Sequence, residues 1–146
     1  VLAALLLAVA GCGDDDPAGP GGSAVEGSAL AGSWAATSFS ADGFDAVSNG
    51  TTVVITFTVT GSTAPAFRGA TGTWAVQIDN DSVGVCDGAT SCSPTGLFTV
   101  EGTTLLFDPG TEDEQVWTWS VVGNTLSLST VFADTTVLEV QATRVS

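Results

Sequence analysis

Apolar and polar residues alternate along most of this chain with a period of two. In TTVVITFTVT, Val53, Ile55, Phe57 and Val59 fall on one side, and Thr52, Val54, Thr56 and Thr58 on the other. That is the pattern of a half-buried strand, and the β-branched content supports it. GTWAVQID repeats it, with Trp74, Val76 and Ile78 opposite Thr73, Ala75 and Gln77. VWTWSVV places Trp117, Trp119 and Val121 together, and TLSLS places Leu126 and Leu128 together. GLFTV and TTLLF are shorter, with Phe98 and Val100 on one side of the first and Leu105 and Phe107 on one side of the second. TTVLEVQATRV ends the series.

Turn chemistry separates these runs. Glu101-Gly102 and Gly123-Asn124 sit between strands at hairpin spacing, and Asp79-Asn80-Asp81-Ser82 closes another strand. No window carries an apolar stripe at helical spacing; around SADGFDAVSNG, Phe44 and Val47 suit one helical turn or an ordered loop. The reading is eight or nine short antiparallel strands. A sheet of that size must close or cover its edges, so a barrel or sandwich is expected.

The first residues break the pattern. Val1 to Ala10 is a continuous apolar run rich in Leu and Ala. Ten helical residues reach about 15 Å, half the hydrocarbon thickness of a bilayer. The run matches the h-region of a secretory signal peptide, and the missing basic n-region and the absence of Met are expected if residues upstream have been lost. Its end, Val9-Ala10-Gly11-Cys12, resembles the lipobox of bacterial lipoproteins. The resemblance implies cleavage before Cys12, with a diacylglyceryl group on its sulfur and a further acyl chain, such as palmitate, on the new N-terminus. Several chains anchor stably where one is marginal, at about 0.8 kcal/mol per buried CH₂. Residues 1–11 are then the signal peptide. Residues 12–28, with GDDDPAGPGGSAVEGS, have almost nothing to bury and read as a disordered tether. Residues 29–146 form the folded domain. Gly13 stands where an Asp in such lipoproteins often signals inner-membrane retention, so the resemblance points to the outer membrane.

Composition then removes function classes. The net charge is −14, from two Lys+Arg and sixteen Asp+Glu. With Arg68 and Arg144 as its cations, the chain has no basic patch for nucleic acid and no electrostatic dock for anionic lipid. There is no His, so a Ser or Cys nucleophile has no imidazole partner, and the chain is read as not an enzyme. Asp79-x-Asp81 with Gly84 is similar to the start of a calcium loop. Val83 occupies a ligand position there and no Glu closes the loop, so these are read as turn residues, with no metal and no cofactor expected. Cys86 and Cys92 frame CDGATSC, and in an exported chain a disulfide is the default. A redox or metal pair needs C-x-x-C spacing or further ligands.

Ala29-Leu30-Ala31-Gly32-Ser33-Trp34 opens the folded part. Gly32-x-Trp34 resembles the G-x-W signature on the first strand of lipocalins and related calycins, and the resemblance extends over about Leu30 to Val145. It implies an antiparallel up-and-down barrel of about eight strands. It also implies closure of one end by Gly32 and Trp34, with Arg144 from the last strand across the indole. A small apolar ligand inside such a barrel would meet Phe57, Trp74, Phe98, Trp117 and Trp119. The alternative is a filled barrel serving as a structural or interaction accessory of the cell envelope, with no residue that identifies a protein partner.

Overall fold

A computed structural model describes residues 29–62 and 69–145. The expected signal peptide, Cys12 and tether lie outside the described residues, as does Arg68. The described chain is all-β. Its strands are β1 (Gly32–Ala41), β2 (Phe44–Asp45), β3 (Thr52–Ser62), β4 (Ala70–Asp79), β5 (Ser91–Cys92), β6 (Thr95–Glu101), β7 (Thr104–Phe107), β8 (Gln115–Val122), β9 (Thr125–Val131) and β10 (Val137–Arg144). A single 3-10 turn, Val47–Asn49, follows β2.

Eight of these strands close into an antiparallel barrel in the order β1-β3-β4-β6-β7-β8-β9-β10, and β10 returns to β1. The two short strands lie off that path, β2 on β1 and β5 on β4. The closing seam runs from Trp34 opposite Arg144 to Ala41 opposite Leu138. A register shift at Thr37 bends β1, which lets its first half pair with β3 and its last residues with β2. Such a bulge adds local twist, which a closing sheet requires. The hairpins at Gly102-Thr103 and Gly123-Asn124 each put a glycine with φ of 59° at the first corner, the arrangement of a II′ turn.

The alternation seen in the sequence becomes the inside and outside of the barrel. Val53, Ile55, Phe57, Ile78, Phe98, Val100, Leu105, Leu126, Leu128, Val140 and Ala142 are buried in one cluster. Outward positions form polar rows across strands, such as Thr104, Thr118, Ser129 and Glu139 in successive register.

One end of the barrel is shut by the segment that enters it. Leu30 and Trp34 are fully buried, and the Trp34 indole N–H donates to the Leu30 carbonyl at 2.8 Å. The Arg144 guanidinium lies 4.1 Å from the centre of the Trp34 ring and donates to the carbonyls of Ala29 and Ala31. Gly32 takes φ of 117°, and a Cβ on it would come within 2.9 Å of the guanidinium. One arginine thus covers the aromatic face and satisfies two carbonyls of the entering strap.

At the other end, Asp45 accepts from the backbone N–H groups of Phe39 and Val47 and from the Ser48 hydroxyl, which ties the 3-10 turn to β1. The Cys86–Cys92 disulfide is formed, with Cα atoms 5.5 Å apart. It holds the loop between β4 and β6, and buried Cys86 packs into the core.

Replacing Arg144 with Ala should lower the unfolding free energy by about 2–3 kcal/mol, from the lost cation–π contact and the stranded carbonyls. Arg144→Lys should recover only part of this, because an ammonium lacks the planar fork. Urea unfolding followed by tryptophan fluorescence measures both.

Candidate functional site

The chemistry-bearing residues of the interior are its aromatic rings, and alternation within the strands aims them inward. Phe107 is their hub. It ends β7, and Asp108, with φ of 49°, turns the chain out of the strand. The Phe107 ring centre lies 5.3 Å from Trp74, 5.9 Å from Trp117 and 6.1 Å from Phe57, edge-on to the two tryptophans and stacked on Phe57. Phe57 in turn meets Phe98 edge-on at 5.3 Å. These are favoured aromatic geometries, each worth about 0.5–1.5 kcal/mol beyond burial.

Depth divides the cluster. Phe57 and Phe98 are 1% exposed and fill the middle of the barrel. A missing side chain opposite makes room for Phe98: a Cβ on Gly72 would lie 2.8 Å from that ring and 2.0 Å from the Thr58 carbonyl oxygen. Trp74 and Phe107 are only partly buried. They lie toward the end opposite Arg144, where β7 finishes and β6 and β8 begin. Trp117 is buried beside them, with its indole N–H on the Gln115 side-chain oxygen at 3.2 Å.

Of the five rings expected to line a ligand site, Phe57, Trp74, Phe98 and Trp117 come together around Phe107. Trp119 does not. It is buried further along β8, and its indole N–H donates to the Gly102 carbonyl in the β6–β7 hairpin at 2.9 Å. Its place is structural, stapling that hairpin to β8. Alternation places Phe107 on the core side of its strand, but nothing local marks it as the hub. Its position beneath Trp74 and Trp117 comes from the barrel order.

One polar atom in this corner lacks a partner. The Trp74 Nε1 is buried and unbonded, the single such side-chain nitrogen or oxygen among the described residues. It lies over Gly96, the neighbour of Trp74 on β6. A Cβ on Gly96 would fall 2.7 Å from this nitrogen and 2.0 Å from Asp108 Oδ1. That carboxylate oxygen accepts from the Leu97 N–H at 2.9 Å.

The acidic residues after β4 build a turn organised by Asp81. The Asp81 carboxylate accepts from the backbone N–H groups of Val83, Gly84 and Cys86 at 3.0, 3.0 and 2.7 Å. With its oxygens committed to the backbone, it organises the loop that carries the disulfide. The bond from Cys86 is the main cause holding its pKa below the ordinary aspartate value.

On the outer wall, Leu106 faces Val116, and Val131 faces Val137. Val116, Val131 and Val137 are exposed and edge a shallow depression of about 450 Å³ that Thr118, Thr130 and Glu139 also line. No protein-family model, curated protein or solved structure matches the chain.

Asp81 sets a pH dependence whose sign follows from its lowered pKa. The stabilisation is fully present above the ordinary aspartate value and is lost as pH falls through the lower folded value. The stability gap between the native chain and Asp81→Asn should therefore be constant from neutral pH down to about 4 and narrow below it. Paired urea titrations at stepped pH measure that gap, in which the shared relief of charge repulsion cancels.

Proposed function

We propose that this chain is a bacterial envelope lipoprotein, anchored through acylated Cys12, whose lipocalin-like barrel takes a small apolar molecule at its aromatic end. The corner formed by Trp74, Phe107 and Trp117 carries this reading. There, two large rings keep part of their surface out of the core at the end of the barrel that Arg144 does not close. Elsewhere the inward rings are consumed by packing. Phe57 and Phe98 fill the middle, so the site is shallow and suited to a flat molecule lying against rings rather than a long chain threaded through the barrel.

The anchor rests on the Val9-Ala10-Gly11-Cys12 sequence and on the Gly- and Pro-rich stretch after it. The lipocalin-like assignment is supported by the Gly32-x-Trp34 motif on the first strand and by the guanidinium of the last strand over that indole. A second reading is a filled barrel acting as an envelope accessory. It is favoured by the exposed strip of Val116, Val131 and Val137, which offers a contact face without any ligand.

N-Phenyl-1-naphthylamine, a neutral apolar fluorophore, separates the two. On the ligand reading its emission rises on mixing, and Phe107→Ala weakens binding about ten-fold while Trp119→Phe leaves it nearly unchanged. Absence of any emission change favours the filled accessory. For the anchor, the chain is expressed in bacteria behind a basic n-region. Cys12→Ser should then move the protein from the membrane to the soluble fraction and abolish incorporation of labelled palmitate.

A further inference from the structure

The unpartnered indole of Trp74 narrows the chemistry of that site. A buried N–H without an acceptor costs about 1–3 kcal/mol, so native structures rarely leave one without a reason. Here it sits at the partly exposed corner of the barrel and beside a carboxylate. Gly96 creates the arrangement, because a side chain there would occupy the space into which the indole edge and the Asp108 carboxylate both reach. The nitrogen is not bonded to that carboxylate, whose Oδ1 already takes the Leu97 N–H.

Resting on the ligand reading above, we infer that Trp74 and Asp108 form a polar anchor for a neutral, hydroxyl-bearing apolar molecule, with the rings of Phe107 and Trp117 holding its apolar body. The indole donates to the hydroxyl oxygen and the carboxylate accepts the hydroxyl proton. The donor inventory selects the group. A hydroxyl both donates and accepts, whereas an ammonium has no acceptor for the indole and a carboxylate has no donor for Asp108. Charge removes anions a second time. The chain carries a net −14, and among the described residues the only cation is Arg144, committed to Trp34 at the opposite end. A fatty acid or other carboxylate would be brought beside Asp108 with no described countercharge.

Three probes of one shape test this by titration of tryptophan fluorescence at neutral pH: naphthalene, 2-naphthol and 2-naphthoate. The expected result is 2-naphthol binding about five- to ten-fold more tightly than naphthalene, with 2-naphthoate weakest. Trp74→Phe keeps an aromatic ring and deletes the donor. It should erase the advantage of 2-naphthol while changing the naphthalene dissociation constant by less than about two-fold. Asp108→Asn should raise affinity for 2-naphthoate. Equal affinities for naphthalene and 2-naphthol, or a Trp74→Phe variant that weakens both alike, would overturn the anchor and leave the aromatic site standing. Failure of all three probes to bind would remove the site itself and the anchor with it.

Discussion

An eight-stranded sheet leaves two edges of unpaired N–H and C=O groups, and this chain removes them by joining its first barrel strand to its last. Trp34 opposite Arg144 and Ala41 opposite Leu138 bound that seam. Everything inside depends on it, because the inward rows of β1 and β10 are neighbours only while the sheet is closed. The seam joins residues about a hundred positions apart in sequence, so it forms at high entropic cost. Its fastening at one end is correspondingly dense. A single guanidinium spans the Trp34 ring and the carbonyls of Ala29 and Ala31, which ties the entering strap, the first strand and the last strand together at one point. The bulge at Thr37 is the geometric counterpart, since without it β1 could not turn from β3 toward β2 while keeping β10.

Closure sets the diameter, and the diameter sets what the interior can hold. A barrel of eight strands is just wide enough for side chains to fill. Here large rings are matched to glycines across the wall. Phe98 occupies the space that Gly72 leaves, and the Trp74 edge lies over Gly96. Small opposite large is how a closed sheet reaches close packing without strain. The same matching explains why the interior is uneven. Below, the pairing of Phe57 with Phe98 is complete and dry. Above, Phe107 gathers Trp74 and the buried Trp117, but Phe107 and Trp74 stay partly exposed where β7 ends and Asp108 leads the chain away.

The all-strand architecture was legible because alternation, β-branched residues and glycine turns agreed at nearly every position from Thr51 onward. Barrel rather than sandwich was not legible from alternation, which is the same in both. It came from the Gly32-x-Trp34 resemblance, and the closed seam is the geometry it implied. The disulfide follows from the expectation of an exported chain and from spacing that suits neither a redox nor a metal pair, and the structure forms it. The site was readable only in part. Inward parity marks Phe57, Trp74, Phe98, Trp117 and Trp119 alike as core rings, but parity does not say what an indole bonds, and only the fold shows Trp119 on the Gly102 carbonyl of the β6–β7 hairpin. Phe107 looked like an ordinary core residue. The roles of Gly96 and Asp108 depend on which strands become neighbours, and no local pattern encodes that.

Charge and burial together explain why polarity inside this barrel is so sparse. Acidic groups of the described residues keep the exterior solvated, and those given structural work bond to backbone donors, as Asp45 and Asp81 do. The described cation is spent on closure, not on recognition. Of the three inward indoles whose N–H groups have partners, Trp34 uses a strap carbonyl and Trp119 a hairpin carbonyl, each fastening one element to another, while Trp117 uses Gln115 of its own strand. Trp74 fastens nothing through its nitrogen, although it stands on a central strand between Phe57 and Gly96. A chain that satisfies three of four indoles with structural partners has the means to satisfy the fourth. A Cβ at position 96 would collide with both the indole edge and the Asp108 carboxylate, so glycine there is what lets the Trp74 donor lie beside Asp108, and on the proposed ligand reading this corner, rather than the filled middle, is where an outside molecule would complete the hydrogen bonding.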